Sequence, residues 1–203
     1  MPTASEIANV APGISLWHFY DPAVKADLFS STIATNVATY LIDPISLAPN
    51  ELAKLQMQGP VAGIIVTNEN HERAAATFAD QLRVPVYLHP TLLGRILPGA
   101  LSLEGPGALA PGMAAIAIDG APAGEVAVYC EADGGTLVIG DALINFEPYG
   151  FGLLPAKYCS NAKVMRRSLP KLLDYAFERM LFAHGTPILS GGRQRLEQLL
   201  RNP

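Results

Sequence analysis

The sequence predicts an α/β fold in which strands and amphipathic helices alternate along the chain. Half of the 203 residues are hydrophobic and only 16% are charged, a balance typical of a globular chain with a large buried core. The clearest local pattern covers residues 61–89, where an apolar strand, an amphipathic helix and a second strand imply a right-handed parallel crossover. A polar run, residues 68–73, follows the first of these strands, at the strand end where α/β proteins bind ligands.

The other elements follow from strand and helix patterns on either side of this crossover. Before it, the patterns predict strands at residues 14–20 and 38–44 and a short helix at residues 49–55. After it, a Gly- and Pro-rich loop covers residues 98–112, and strands follow at residues 113–118, 125–130 and 136–139, the last two joined by a turn at Gly134 and Gly135. The remaining predictions are a helical segment at residues 162–177 that is either kinked or divided into two abutting helices at Pro170, a strand at residues 180–183 and a helix at residues 193–201.

Composition excludes several functional classes. The formal net charge of −4 and the pI near 5.5 leave no basic surface for nucleic acid. No apolar run approaches the roughly 18–20 residues that cross a bilayer, and the first ten residues lack the pattern of a secretory signal. Cys130 and Cys159 are unclustered and are predicted to be reduced thiols. We therefore expect a cytoplasmic protein whose partner is a small molecule or another protein, with a homodimer as an open alternative.

Polar or Gly-rich positions recur at the predicted strand ends in a distinctive order. They are Asp43, residues 68–73, Gly120 with Ala121, Gly140 with Asp141, and His184 with Gly185. This order resembles the metallo-β-lactamase fold superfamily over nearly the whole chain. The resemblance implies a four-layered αβ/βα sandwich and a single domain over residues 1–203. No Gly-x-Ser-x-Gly nucleophile motif and no phosphate-binding loop competes with this interpretation.

The family hallmark is a strand that ends in Thr and is followed by His-x-His-x-Asp-His, which supplies most of the metal ligands. Thr67 is present here, but the hallmark's three histidines and its aspartate are replaced, in order, by Asn68, Asn70, Arg73 and Glu72. Ala121 stands where the family's third motif has its histidine. The resemblance retains Asp141 as the metal-bridging position, His184 as the last ligand and Asp43 as the first-motif aspartate.

These replacements predict that two zinc ions do not bind tightly. A catalytic zinc site needs at least three protein ligands, and an alanine or an amide is a poor substitute for imidazole. Arg73 is a permanent cation where the family has a ligand. We therefore hypothesise that Arg73 replaces the metal and pairs with Asp141, with Glu72 joining the network. On this interpretation no cofactor is expected.

Several residues of the polar run have simpler alternative roles. Asn68 and Asn70 would cap a helix that begins near His71, and Glu72 would complement the dipole of its first turn. His71 would then be a solvated residue of that first turn, with metal ligation as its alternative. Further along the chain, three aromatic residues could either line a pocket mouth or form a small satellite core; they are Tyr149, Phe151 and Tyr158.

Two functional hypotheses follow from the resemblance and the replacements. The favoured one is a pseudo-hydrolase, a binding or scaffold protein without zinc whose old cleft is lined by Asp43, Asn68, Asn70, His71, Arg73 and Ala121. The alternative is an atypical hydrolase of ester or thioester bonds. It would use one weakly held divalent ion (Zn, Mn or Fe), with Glu72, Asp141 and His184 as ligands and catalytic residues.

Overall fold

The computed structural model describes residues 3–57, 59–104, 107–146 and 150–201. In this part of the chain the helices are α1 (Pro49–Met57), α2 (Ala75–Leu82), α3 (Ala162–Ser168) and α4 (Gly192–Arg201). None of them is long and apolar enough to cross a membrane. The strands are β1 (Thr3–Ala4), β2 (Ala8–Ala11), β3 (Ile14–Asp21), β4 (Ala26–Ala34), β5 (Thr39–Ile42), β6 (Ser46–Leu47), β7 (Val61–Ile65), β8 (Val86–Leu88), β9 (Leu101–Ser102), β10 (Met113–Ala117), β11 (Val126–Cys130), β12 (Thr136–Ile139), β13 (Leu143–Phe146), β14 (Gly150–Leu153) and β15 (Arg179–Phe182).

Two sheets carry most of these strands. The larger sheet has the order β2-β3-β4-β5-β7-β8-β9, antiparallel from β2 to β5 and parallel from β5 to β9. The smaller sheet has the order β10-β11-β12-β15, in which only the β12–β15 pair is parallel. The parallel pairing of β7 with β8 around α2 confirms the crossover predicted from the sequence.

The two sheets pack face to face, and helices cover their outer faces. Alternate residues of a strand point to opposite faces, so neighbours in one strand enter different cores. Ile65 packs between the sheets, whereas Ile64 packs on the side of α2 against Phe78. On the smaller sheet, Val138 faces the larger sheet and Leu137 packs on the side of α3 and α4. Three cores therefore separate four layers, which confirms the predicted αβ/βα sandwich.

Several local predictions differ from the structure, and the short strand β9 lies within the predicted loop at residues 98–112. The long strand β4 lies between the first two predicted strands, and the hairpin β13–β14 follows Asp141; neither was predicted. The helix predicted from residue 71 begins four residues later, at Ala75. Arg73 has a φ of +42°, a left-handed conformation that cannot continue an α-helix, so residues 68–74 form turns instead. Of the two alternatives predicted at Pro170, the structure has two abutting helices, because α3 ends at Ser168 and the 3₁₀ helix Leu169–Asp174 follows directly.

Candidate metal centre

Strands of both sheets end at one edge of the sandwich and bring the candidate residues together. Asp43 follows β5, Thr67 follows β7, Asp141 follows β12 and His184 follows β15. The two sheets are joined at this edge, because the amide of Phe29 donates to the carbonyl of Ala183 at 2.9 Å. The edge is therefore a fixed platform rather than a gap between two independent sheets.

His71, Asp141 and His184 form the one cluster of potential metal ligands found among the described residues. The Asp141 Oδ1 atom lies 3.2 Å from His71 Nε2 and 3.3 Å from His184 Nε2, and the two Nε2 atoms are 3.3 Å apart. Ligands held about 2.1 Å from one ion in a tetrahedral or octahedral arrangement are themselves roughly 3.0–3.4 Å apart. The three donor atoms thus have the spacing of ligands that share one cation.

Hydrogen bonds fix the orientation of both histidines. His71 Nδ1 lies 2.9 Å from Asp43 Oδ2, and this carboxylate also accepts from the amide and the hydroxyl of Thr67. His184 Nδ1 lies 3.3 Å from the carbonyl oxygen of Asp27. In each case Nδ1 lies against an oxygen atom, and Nε2 is the ring nitrogen that faces Asp141. Histidines that bind metal almost always donate their other ring N–H to an oxygen in this way.

The charges of this cluster balance one another. Burial opposes protonation of His71, but the flanking carboxylates of Asp43 and Asp141 raise its pKa to about 9. Burial opposes ionisation of Asp141, yet the charge of His71 and the hydrogen bond from His184 keep its pKa well below the usual value. Burial is the main reason that the pKa of His184 falls below the ordinary range. When no metal is bound, His71 is therefore protonated near neutral pH, and its positive charge lies beside Asp141, where a bound cation would place its own.

The opposite side of Asp141 is filled by an amide group. Asn68 is fully buried, and its Nδ2 donates to Glu125 Oε2 at 2.7 Å and to Asp141 Oδ2 at 3.1 Å. Glu125 is also buried, and its Oε1 accepts from the amides of Asp141 and Ala142. Burial and the nearby charge of Asp141 raise the pKa of Glu125 to about 8. An N–H₂ group thus lies between two carboxyl groups, where the family's replaced ligands would hold another metal.

A second metal does not fit these residues. The Nδ2 atom of Asn68 presents hydrogens rather than a lone pair, and Ala121 is buried in the core with no donor. Gly140 makes the close approach of Glu125 possible, since a Cβ at this position would lie 2.8 Å from both carboxyl oxygens and 2.7 Å from Thr67 Oγ1. The residues present therefore fit one cation on the histidine side and none on the amide side.

Glu125 was missed in the sequence as a site residue. The sequence predicts a strand that begins at Glu125, whereas β11 begins one residue later, so Glu125 lies just before the strand. The available signal was a single carboxylate between Gly124 and the apolar run of β11, a position where burial requires a partner. Its partners come from distant parts of the chain, so local pattern does not identify them.

The predicted ion pair between Arg73 and Asp141 is wrong. Arg73 Nη1 donates to the carbonyl oxygens of Phe29 and Asp43, at 2.5 and 3.0 Å, and Nη2 donates to that of Ala183 at 3.4 Å. No ion pair joins Arg73 to Asp141 or Glu72 in the described parts of the chain. The physical reason is that Asp141 already has donors from other residues, while the backbone carbonyls of Phe29, Asp43 and Ala183 converge on the Arg73 guanidinium.

The other simple roles predicted for the polar run also differ from the structure. Asn68 and Asn70 do not cap a helix, because Asn68 Oδ1 accepts from the Asn70 amide in a turn seven residues before α2. His71 is 2% exposed rather than solvated, and it lies outside the helix. Glu72 is exposed, outside the ligand cluster and outside the first turn of α2.

A cleft of about 1400 Å³ opens above the cluster. Five predicted site residues line it: Asn70, His71, Arg73, Asp141 and His184. Asp43, Asn68 and Ala121 are buried behind them. Of the aromatic residues, Tyr158 lines the cleft, Phe151 packs against Phe182 in the core, and Tyr149 lies outside the described residues.

Comparisons with known proteins agree with this architecture. The family model described as the metallo-beta-lactamase superfamily matches residues 8–202. A metallo-beta-lactamase from Pontibacter korlensis superposes with a TM-score of 0.72 at 15% identity, covering 98% of this chain and 99% of that one. The enzyme from Erythrobacter litoralis, solved with beta mercaptoethanol in its active site, gives 0.71 at 14% identity, with 97% and 96% covered.

A more distant similarity extends the same result. A metallo-beta-lactamase family protein from Thermus thermophilus superposes with a TM-score of 0.60 at 19% identity, covering 95% of this chain and 80% of that one. No curated protein matches the sequence. At these identities the solved structures establish the fold, and the family model covers almost the entire chain. The chain therefore belongs to the metallo-β-lactamase superfamily.

Proposed function

We propose that this protein is a hydrolase of ester or thioester bonds that uses a single divalent metal ion. The observation that carries the proposal is the convergence of His71 Nε2, Asp141 Oδ1 and His184 Nε2, with both Nδ1 atoms anchored by oxygen. Two imidazoles and one carboxylate are the ligand set of catalytic zinc sites and of non-haem iron(II) sites. His71 takes the third-ligand role that the sequence had suggested for Glu72.

When bound, such a cation supplies Lewis-acid chemistry, which makes water nucleophilic near neutral pH and polarises a carbonyl group. The residues of the chain orient the ligands and the substrate. Asp43 orients the His71 ring so that Nε2 faces Asp141, and Arg73 donates hydrogen bonds to the backbone carbonyls of Phe29, Asp43 and Ala183. Asn70 is exposed at the cleft, with its Nδ2 atom 3.5 Å from Asp141, and its amide can donate to a substrate carbonyl oxygen.

One observation favours a second candidate, a metal-free binding protein. The Asp141 carboxylate is already hydrogen-bonded by Asn68, His71 and His184, so it needs no cation to be stable when buried. In that case the same cleft binds a ligand without hydrolysing it. This is the pseudo-hydrolase alternative, and it shares every structural feature with the first candidate except the cation.

Turnover by metal-loaded protein separates the two candidates. Metal-free protein would be loaded with Zn²⁺, Mn²⁺ or Fe²⁺ and assayed on a panel of esters and thioesters. We expect hydrolysis that disappears in His184→Ala and persists in the control variant His89→Asn. His89 lies outside the cluster and accepts a hydrogen bond from the Thr91 amide, and asparagine can accept the same hydrogen bond. Absence of turnover with every metal, or equal turnover in His184→Ala, would favour the binding protein.

A further inference from the structure

The cleft above the ligand cluster has two apolar walls. One wall comes from the turn between β3 and β4 and the start of β4, and the other from the β13–β14 hairpin and the residues after it. The apolar side chains that line the cleft are Val24, Leu28, Ile45, Ile144, Phe146, Leu153 and Leu154. Phe146 reaches the centre itself, with its ring 6.2 Å from that of His184. The apolar surface is therefore continuous with the site of chemistry.

The size of the cleft indicates a long substrate. Its volume of about 1400 Å³ exceeds the roughly 300–1000 Å³ that is usual for small-molecule sites. Val24 and Tyr158 are both 59% exposed at its lining, where they join the other apolar side chains of the cleft, and contiguous apolar surface marks binding sites. A short ester would leave most of this apolar surface exposed to water, whereas an extended hydrocarbon chain would cover it.

The cleft also carries positive charge. Lys25 lies on the β3–β4 turn and Lys157 lies after β14, and both line the cleft. The Nζ atom of Lys157 lies 4.6 Å from the centre of the Tyr158 ring, and neither lysine forms an ion pair with a carboxylate of the described residues. Asp21 shares this lining, but its Oδ1 accepts from the amide of Ala23 within its own turn. Two lysines on one cleft of an acidic chain favour an anionic ligand group.

We propose that the substrate is an acyl ester or thioester with an extended apolar chain and an anionic group, the chain on the apolar walls and the anion at Lys25 and Lys157. This inference rests on the proposed function for its chemical step. In that step water adds its oxygen to the acyl carbon, and the C–O or C–S bond breaks. One proton of the water leaves with the alcohol or thiol, the other passes to the solvent, and the acid remains as a carboxylate.

Binding to metal-free protein tests the ligand class without requiring turnover. The probes are monoalkyl phosphates with four, eight and twelve carbons and the matching neutral alcohols, titrated calorimetrically below their micelle concentrations. Full burial of a methylene is worth a factor of about 4 in affinity, so we expect about twofold to fourfold tighter binding per added carbon in both series. An affinity that does not depend on chain length would overturn the proposal.

Matched variants test the two parts of the ligand separately. The double variant Lys25→Gln with Lys157→Gln should lower the affinity for the alkyl phosphates roughly tenfold and leave the affinity for the alcohols unchanged. Lys163→Gln on α3 should change neither affinity. Val24→Ser should reduce the increase in affinity per added carbon for both the phosphates and the alcohols. Because Lys25, Lys157 and Val24 are exposed, melting temperatures should be unchanged. Equal phosphate affinity in wild type and the double-lysine variant would overturn the anionic part.

The outcomes also distinguish this inference from the proposed function. Chain-length-dependent binding with no hydrolysis of any matching ester by metal-loaded protein would contradict the hydrolase and support the ligand class. Hydrolysis of esters without chain-length preference in binding or in KM would contradict the ligand class and support the hydrolase.

Discussion

The two sides of Asp141 differ in what they offer to a cation. On the histidine side, defined by His71 and His184, two imidazole nitrogens face Asp141 Oδ1 at 3.2 and 3.3 Å. On the amide side, defined by Asn68 and Glu125, N–H bonds face Asp141 Oδ2 and fill the space themselves. A site that has lost the family's metal ligands is therefore not always an empty cavity. One side combines the retained Asp141 and His184 with His71, which is not a family ligand position, and on the other side an amide group occupies the place of an ion.

Changing His71, the ligand that the sequence pattern did not identify, should cause the largest loss of metal affinity. His71→Ala removes one of three donors, and a catalytic site requires three, so Zn²⁺ affinity should fall by more than about a hundredfold. Calorimetric titration of metal-free protein measures the change, with His89→Asn as the control. Unchanged affinity in His71→Ala would mean that this histidine is structural and that the two sides do not differ as described.

Arg73→Met tests whether the guanidinium belongs to the platform beneath both sides. The substitution leaves the carbonyl groups of Phe29, Asp43 and Ala183 without this donor, and each unsatisfied buried group costs about 1–3 kcal/mol. We expect the free energy of unfolding to fall by about 3 kcal/mol or more. Urea denaturation measures it, with the exposed Arg167→Met, on the outer helix α3, for comparison. A loss below about 0.5 kcal/mol, the range of ordinary surface substitutions, would contradict this role.

The amide side should be a determinant of stability rather than of metal binding. Asn68→Ala leaves the carboxyl groups of Glu125 and Asp141 facing each other without the bridging N–H₂ group. Hydrogen bonds to charged groups contribute about 1.5–3 kcal/mol, so we expect a loss of unfolding free energy in that range. Metal stoichiometry on the histidine side should stay the same. A variant as stable as the wild type that binds a second ion would show that the amide does not replace a cation.

A weaker effect should come from the carboxylate that orients His71. Asp43→Asn keeps a side chain of the same shape but weakens the acceptor for His71 Nδ1, and changes in such partners cost about tenfold to a hundredfold in metal affinity. The stoichiometry should not change. Calorimetric titration again measures the effect, and a loss as large as that of His71→Ala would mean that the substitution unfolds the site rather than reorienting one ligand.

The sequence predicted the features that depend on local pattern or chain order. Apolar periodicity was sufficient for β7, α2 and β8, and the order of strand-end residues brought Asp43, Asp141 and His184 to one edge. Contacts between distant residues were not predictable in this way. The helical spacing of apolar residues after His71 predicts a helix over residues 71–74, whereas Arg73 has a positive φ and donates to three carbonyls from distant parts of the chain.

The same limit applies to Glu125 and to the cleft wall. Glu125 pairs with Asn68, 57 residues earlier in the chain, and no local signal links the two. The β13–β14 hairpin contains Gly150 and Gly152, which weaken the strand pattern. Apart from the buried Leu143 its side chains are only partly buried, and Ile144, Phe146 and Leu153 line the open cleft, so the hairpin lacks the strong alternation of a core hairpin.

The most direct test of a single-metal centre is the metal content of untagged wild-type protein after loading with Zn²⁺, Mn²⁺ or Fe²⁺ and removal of the excess. Elemental analysis should find one ion per chain in the wild type and in Asn68→Ala, and a negligible amount in His71→Ala and His184→Ala. Two ions per chain would contradict the replacement of a cation by Asn68. No ion in the wild type, or one retained in His184→Ala, would contradict a single metal held by His71, Asp141 and His184.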